Sequence, residues 1–351
     1  MTLGRTSILA FSATVVKILA GLVINKAVAL YIGPSGLALI GQFQNFSQMV
    51  NKAAQGGVNA GVTKYAAEYG KDAGRLKVLF STASKISLIS SLIIGIGIVV
   101  FSKFAAFYVL KSESYEYIFI IFGVTIVFFV ANSLLLSIVN GLKEIKIWTV
   151  ITIVQSLYSL IFTTTLITWL ELDGALIALV TNQSVILIVT LWMLRKHSFM
   201  KLHNFTNKFC KVEAKKLFGY ASMTMVSFAV IPISQLIIRN YIGDTLSWDD
   251  AGYWQAVWYV SKIYLMIVTS TLGIYYLPRL SEITIKSDLR KELLQGYKVI
   301  IPIVVTVSTL IFFSRDLIIG LLFTQDFSPI RELFLWQLVG DTIKIASWLI
   351  A

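Results

Sequence analysis

The chain has 351 residues, 57% of them hydrophobic and 14% charged, with a formal net charge of +12 and a mean hydropathy of +0.79. A soluble domain carries about 25% charged residues, so that class is excluded, and recurring apolar runs long enough to cross a hydrocarbon core of roughly 30 Å indicate a polytopic all-α membrane protein. The alternating segments of an outer-membrane barrel are absent, and the single cysteine, Cys210, excludes an internal disulfide and a thiolate metal cluster.

Apolar runs and breakers predict ten spans, at 7–31, 37–66, 78–102, 117–140, 147–170, 174–194, 217–241, 251–277, 293–313 and 329–351. The first is a retained span: Lys17 interrupts it and no small-residue cleavage site comes after it. Connections on the N-terminal side carry Arg5, Lys71, Arg75, Lys77, Lys143, Lys146, a basic run from Arg195 to Lys216, and Arg279, Lys286, Arg290 and Lys291. The opposite connections hold Lys103, Lys111, Arg315 and Arg331 amid acids such as Glu171, Asp173, Asp249 and Asp250. The positive-inside rule then puts the N-terminus in the cytoplasm. Much of the +12 is topology signal, and nucleic acid is not expected as a partner.

The long polar interval "HSFMKLHNFTNKFCKVE", 197–213, comes after six spans and divides an N-terminal six-helix lobe, 1–196, from a C-terminal lobe, 214–351. Both histidines, His197 and His203, fall in it, so neither a His-based metal site nor a proton relay through histidine is expected within the spans. Shifting one half over the other by 210 residues aligns "YIG" at 31–33 with "YIG" at 241–243, and pairs Thr14 with Thr224, Asn25 with Gln235, Asn45 with Gln255 and Lys52 with Lys262. This pattern indicates a duplicated six-span unit. Span four maps onto 327–350, so partners of spans five and six are expected beyond residue 351. The design expected is twelve spans in two lobes, with about ten present here and the second lobe truncated after its fourth helix.

Three lysines lie mid-span: Lys17, Lys52 and Lys262. Each costs roughly 2.5–3.5 kcal/mol at the bilayer centre, so such groups face a wet cavity or a partner. A neutral or carboxylate-paired lysine is the bland alternative for each. Three without matching central acids, two of them equivalent by repeat, favour a cationic cavity for an anionic ligand. In span two, Gln42, Asn45, Lys52, Asn59 and Thr63, flanked by Gln48 and Gln55, recur at helical spacing opposite Leu39, Phe43, Phe46 and Val50. Gln255, Trp258 and Lys262 form a similar stripe in span eight, and Thr6, Ala13, Lys17 and Gly21 share a side of span one.

Lys26 and Arg239 sit near the outer ends of their spans, where long cations snorkel to the interface. Lys64 and Glu68 are spaced for an i, i+4 salt bridge. Asp341 and Lys344, i, i+3 apart, suggest a structural ion pair, with coupling or gating as the sharper alternative. No nucleotide-phosphate loop, zinc-protease motif or buried Ser/His/Asp set is present, so an enzyme is not expected, nor any cofactor or metal.

In "VKILAGLVINKAVALYIGPSGLALIGQFQNF", "GVTKYAAEY", "WDDAGYWQAVWYVSKIYL", "YYLPRLSEI" and "LFLWQLVGDTIKIASW" the chain resembles the Wzx translocases, the polysaccharide-exporter branch of the MOP superfamily, which also holds the MATE transporters. The likeness is strongest to enterobacterial flippases for O-antigen or enterobacterial common antigen repeat units. It implies twelve spans in two lobes, alternating access across the bacterial inner membrane, and an undecaprenyl-pyrophosphate-linked oligosaccharide as cargo. The polymerase and chain-length machinery of the same pathway are candidate partners. On this reading Lys17, Lys52 and Lys262 meet the pyrophosphate and Lys26 and Arg239 are outward stations. Asn45, Gln48, Asn59 and Gln255 bond sugar hydroxyls, and Trp254, Trp258 and Tyr259 stack on sugar faces. Two rivals remain: an ion-coupled MATE exporter of organic cations, which requires cavity carboxylates, and a polysaccharide polymerase or ligase, which requires a large outer loop.

Overall fold

The computed structural model describes the backbone of residues 3–200, 204–281, 283 and 286–349, with side chains over that range apart from 3–10, 198, 221–229, 267, 270–282 and 284–287. The expectations placed on Lys201 and His203, and on the side chains of Arg5, Thr6, Thr224, Arg279 and Lys286, lie outside the described residues. Every regular element among the described residues is helical: α1 (Leu3–Tyr31), α2 (Gly33–Ala54), α3 (Val58–Tyr69), α4 (Ala73–Val100), α5 (Ser102–Leu110), α6 (Glu116–Gly141), α7 (Ile145–Leu194), α8 (Lys211–Thr245), α9 (Trp248–Ser281), α10 (Lys286–Phe313), α11 (Arg315–Leu322) and α12 (Ile330–Trp348). Phe11–Tyr31, α4, Glu113–Gly141, α7 and Asp288–Phe313 are each long and apolar enough to cross a membrane.

Span two is not one helix. It breaks between α2 and α3, where Gly56 and Gly57 take φ of 62° and 65°. Residues with a Cβ resist that left-handed region, so two adjacent glycines in "AQGGVN" end one helix and begin the next. Spans five and six, by contrast, are the two arms of α7, which reverses at Glu171 (φ 49°, ψ −121°). A Cβ on Gly174 would lie 2.0 Å from the Leu166 carbonyl oxygen, so only glycine fits this turn. Asn182 of the second arm donates to the Ser159 hydroxyl of the first, closing the hairpin.

Packing divides the chain into two compact units, Met1–Ile32 with Leu39–Tyr241, and Gly33–Ala38 with Ile242–Ala351. The boundary falls at 241/242, so α8 belongs to the first unit up to Tyr241 and to the second from Ile242. In the first unit α6 joins two apolar cores. Ile118, Phe119, Phe122, Ile126 and Val130 pack with Phe43, Leu110 and Leu176. Leu134, Leu135, Ile138 and Val139 pack with Val62, Phe80, Ile151 and Leu217. α4 leaves Leu88, Ile89, Leu92, Ile93, Ile96 and Val100 exposed, a continuous apolar stripe suited to hydrocarbon. On its other side the linker docks: Lys85 donates to the Asn207 carbonyl at 2.7 Å and Phe205 stacks on Phe80.

Each unit contains the same run of elements. α4, the short α5, a 3-10 turn at Glu113–Tyr115 and α6 are echoed by α10, the short α11, a 3-10 turn at Gln325–Phe327 and α12. Ion pairs fasten both short helices to the next stretch of chain, Lys103 to Glu113 at 3.0 Å and Asp316 to Arg331 at 3.1 Å. The duplication read from scattered identities thus reaches element order. It is imperfect: Met266 and Ile267, the counterparts of the glycine pair, lie in the unbroken α9.

Candidate functional site

Lys52 is exposed near the end of α2, just before the glycine break. It lines a cavity of about 460 Å³ in the first unit, with Gln48, Asn51 and Gln55 beside it, Ser133 of α6, Gln183 of α7 and Pro232 of α8 opposite. A second cavity of about 270 Å³ is lined by Lys17 and Gly21 of α1 and by Thr152, Gln155, Ser156, Ser159, Asn182 and Gln183 of α7. Gln183 belongs to both walls. Its side-chain oxygen accepts from the buried Asn132 at 3.3 Å, and Asn132 accepts in turn from Thr190 at 2.8 Å. Neither set of lining residues includes a carboxylate.

Two polar atoms at these walls, Asn51 Oδ1 and Gln155 Nε2, are buried without a hydrogen-bond partner among the described residues. Each such group costs about 1–3 kcal/mol unless a ligand or water meets it. The arrangement therefore offers cations and amide or hydroxyl groups to something anionic and hydroxylated. The α7 lining is not among the residues expected from sequence, although Thr152, Gln155, Ser156 and Ser159 repeat at helical spacing. Stripes of this kind on an otherwise apolar helix are the signal that finds it.

Other expected residues fall elsewhere. Asn59 donates to Gln55 and to the Ser133 hydroxyl at 2.7 Å, and Thr63 to the Ser137 carbonyl, so that part of the stripe is spent on α6. Asn45 is buried, Lys26 is half-buried, and neither lines these cavities. Arg239 does not snorkel to the interface. It is 1% exposed, and its Nη1 donates to Gln42 Oε1 at 2.9 Å while Gln42 Nε2 donates to Asn240 Oδ1 at 2.9 Å. Its role here is to hold α8 against α2. Replacing Gln42 by Leu strips that acceptor from a buried cation. The expected cost is about 1.5–3 kcal/mol, read as a lower thermal midpoint in detergent and restored by Gln42→Glu. An unchanged midpoint in Gln42→Leu contradicts this role.

α8 meets α3 through a second cluster, beyond the glycine break. Tyr69 donates to Glu213 at 2.8 Å, Lys216 donates to both at 2.9 Å, and Arg75 lies 4.9 Å over the Tyr69 ring. Burial raises the Tyr69 phenol above its ordinary range, with Glu213 adding to that. Lys64 pairs not with Glu68 but with the Tyr220 hydroxyl, its ammonium 5.3 Å from the Tyr65 centroid. The Lys52 cavity, lined in part by Ile231 and Pro232 of α8, thus lies between two polar clasps on that helix.

In the second unit Lys262 is exposed on α9, and Gln255 and Trp258 are half-buried on the same helix. Trp254 and Trp258 make an edge contact at 6.1 Å. Asp341 and Lys344 do not form the expected ion pair: Lys344 lies 4.7 Å over the Trp258 ring, while Asp341 accepts from Tyr264 at 2.7 Å and Gln337 at 3.1 Å.

A family model described as polysaccharide biosynthesis protein matches residues 3–284. The chain belongs to that family. One relative, the Lipid III flippase of Escherichia coli (strain K12), is 28% identical over 348 residues, 99% of this chain and 84% of the relative. The Lipid III flippase of Shigella flexneri matches with the same figures. Both are named for flipping a lipid rather than for catalysis. Among solved structures, an inward-facing MATE family multidrug resistance transporter of the MOP superfamily aligns with a TM-score of 0.67 at 16% identity, over 93% of this chain and 78% of that one. A MOP superfamily transporter from Pyrococcus furiosus, its binding pocket of reverse polarity, aligns with a TM-score of 0.63 at 17% identity, over 99% and 84%. This polysaccharide biosynthesis family member therefore has the all-helical membrane fold of MOP transporters, and its resemblance to Wzx translocases holds.

Proposed function

We propose that the protein flips an undecaprenyl-pyrophosphate-linked oligosaccharide from the cytoplasmic to the periplasmic leaflet of the bacterial inner membrane, with its N-terminus in the cytoplasm. The observation that carries this reading is the Lys52 cavity, where a cation is set among amides and hydroxyls with no carboxylate in the lining. A pyrophosphate cannot leave water without replacement partners, and lysines in a low-dielectric cavity supply them as charge-assisted hydrogen bonds. Lys52 in the first unit and Lys262 in the second each supply one such cation. Lys17, across Gln183, extends the cationic lining, and Lys26 is an outward station. Gln48, Asn51, Gln55 and Gln255 bond sugar hydroxyls, and Trp258 offers a stacking face.

Cargo passage by alternating access requires the two clasps of α8 to release in turn around the cavity, while the polyprenyl tail stays in lipid. The pathway's polymerase and chain-length machinery are the natural recipients of the product. The lipid III named for the relatives is the first cargo to test. An organic-cation exporter fits less well, because it requires carboxylates in the cavity, and Asp341 is committed to Tyr264 and Gln337.

Reconstitution decides between them. In liposomes the protein is expected to move a fluorescent polyprenyl-pyrophosphate saccharide between leaflets and to leave ethidium where it is. Ethidium movement without lipid movement refutes the flippase reading.

A further inference from the structure

Lys344 of α12 is a cation whose neighbouring acid is already occupied. Asp341, one turn back, accepts from the Tyr264 hydroxyl of α9 at 2.7 Å and from the Gln337 amide at 3.1 Å. The Lys344 ammonium lies instead 4.7 Å from the centroid of the Trp258 ring on α9. Lys344 is exposed and Trp258 is half-buried, so the contact is open to a ligand. Gln255, Trp258 and Lys262 recur at three- and four-residue steps on α9 and share a face. Trp254 meets Trp258 edge-on, with the ring planes 60° apart. The acids of α9 are engaged at its start, where Asp249 accepts from the Ser35 amide and Asp250 from the Ser247 hydroxyl.

An ammonium on an aromatic face is held by the ring quadrupole. A phosphate oxygen holds the same ammonium more strongly, through a charge-assisted hydrogen bond. While Lys344 covers the indole, that face is closed to a sugar, because both use the same π surface. An anion that draws Lys344 away bares the ring. A pyrophosphate suits this role, because Lys262, one turn from Trp258 on the same face, supplies a second ammonium and each phosphoryl group then meets one cation. A sugar bonded directly to that pyrophosphate is brought to the bared indole, with the Gln255 amide one turn to the other side for its hydroxyls.

We propose that Lys344 guards the Trp258 ring and releases it only to a saccharide that arrives on a pyrophosphate. Lys344 is thereby a specificity-determining residue: a free sugar finds the stacking face closed, and an anion without a sugar leaves the opened face empty. The identity of the cargo's head group rests on the flippase reading; the device itself stands on the contact between Lys344 and Trp258, within the second unit.

The test uses the full-length protein in lipid nanodiscs, labelled with fluorotryptophan, its Trp258 resonance assigned by Trp258→Phe. Inorganic pyrophosphate should shift that resonance in the wild type and leave it in place in Lys344→Met, where the ring is bare from the outset. N-acetylglucosamine should shift it in Lys344→Met, and in the wild type only when pyrophosphate is present. No response to pyrophosphate in the wild type overturns the proposal. So does an equal response in Lys344→Met, or one reproduced by sodium sulfate at the same ionic strength. The wild-type measurement needs no variant, so a Lys344→Met protein that fails to fold leaves the decision intact. In liposomes, Lys344→Met should slow movement of a polyprenyl-pyrophosphate saccharide about tenfold or more, the effect of one lost charge-assisted bond, and Lys344→Arg should keep most of the rate. An unchanged rate in Lys344→Met also overturns the proposal. If no lipid moves in any preparation, the flippase reading fails, and the fluorine resonance still decides whether pyrophosphate displaces Lys344.

Discussion

Lipid movement is expected to fall about 100-fold or more when Lys52 and Lys262 are both replaced by alanine. Each lysine is assigned a charge-assisted hydrogen bond to the cargo, worth about 1.5–3 kcal/mol, and 1.4 kcal/mol is about tenfold in rate. Each single variant is expected to lose roughly ten- to a hundredfold. The membrane cost runs the other way. Removing a mid-span lysine relieves roughly 2.5–3.5 kcal/mol of insertion penalty, so the variants should accumulate at least as well as the parent. A loss of movement at equal protein is therefore a loss of function. Lys52→Arg and Lys262→Arg keep the charge and should retain most of the rate. Normal movement by both single variants and the double one would remove the cationic-cavity mechanism.

The second large effect is expected at the break between α2 and α3. With φ near 60° at both positions, Gly56→Ala and Gly57→Ala each incur about 1–2 kcal/mol of left-handed strain. At Gly56 the new Cβ also meets Ile86 Cγ2 at 3.0 Å and Ser90 Oγ at 3.1 Å. The double alanine variant favours a continuous helix, which would swing the α3 clasp residues Lys64, Tyr65 and Tyr69 off their partners on α8. Lipid movement should drop at least tenfold and the thermal midpoint should fall with it. Gly57→Asn is the control, because asparagine tolerates this region and Gly57 already stands at the N-terminal cap of α3. A double alanine variant moving lipid at the parental rate would show that the break has no part in transport.

Much of this architecture is legible in the sequence because membrane spans announce themselves by length and apolarity alone. The ten predicted runs fall on helices, "ELDG" separates the arms of α7, and the doubled pattern shows in "YIG". Tertiary partners are not encoded that way. Arg239 and Lys26 look alike on paper, yet one is buried on Gln42 and the other is half-buried near a helix end. Asp341 and Lys344 have ion-pair spacing, but Tyr264, 77 residues away, takes the carboxylate. Asn59 carries the helical periodicity of a cavity residue and uses its donor on Ser133. The short helices α5 and α11 hide at the ends of longer apolar runs. The glycine pair is visible in the sequence, where small residues suggest close packing; only the sign of φ reveals the break.

The reversal at Glu171 bears on how the protein is made. With Gly174 close against the Leu166 carbonyl, the two arms of α7 are joined by a turn with no spare residues. A first arm alone would leave the Ser159 hydroxyl without its Asn182 partner in hydrocarbon, where a lone polar group is expensive. Co-insertion as a hairpin lets Asn182 find Ser159 while both are still sheltered by the insertion machinery. The fifty residues of α7 are therefore expected to insert as a single hairpin, and a cleavable linker placed at Asp173 should leave the first arm a substrate for quality-control proteolysis.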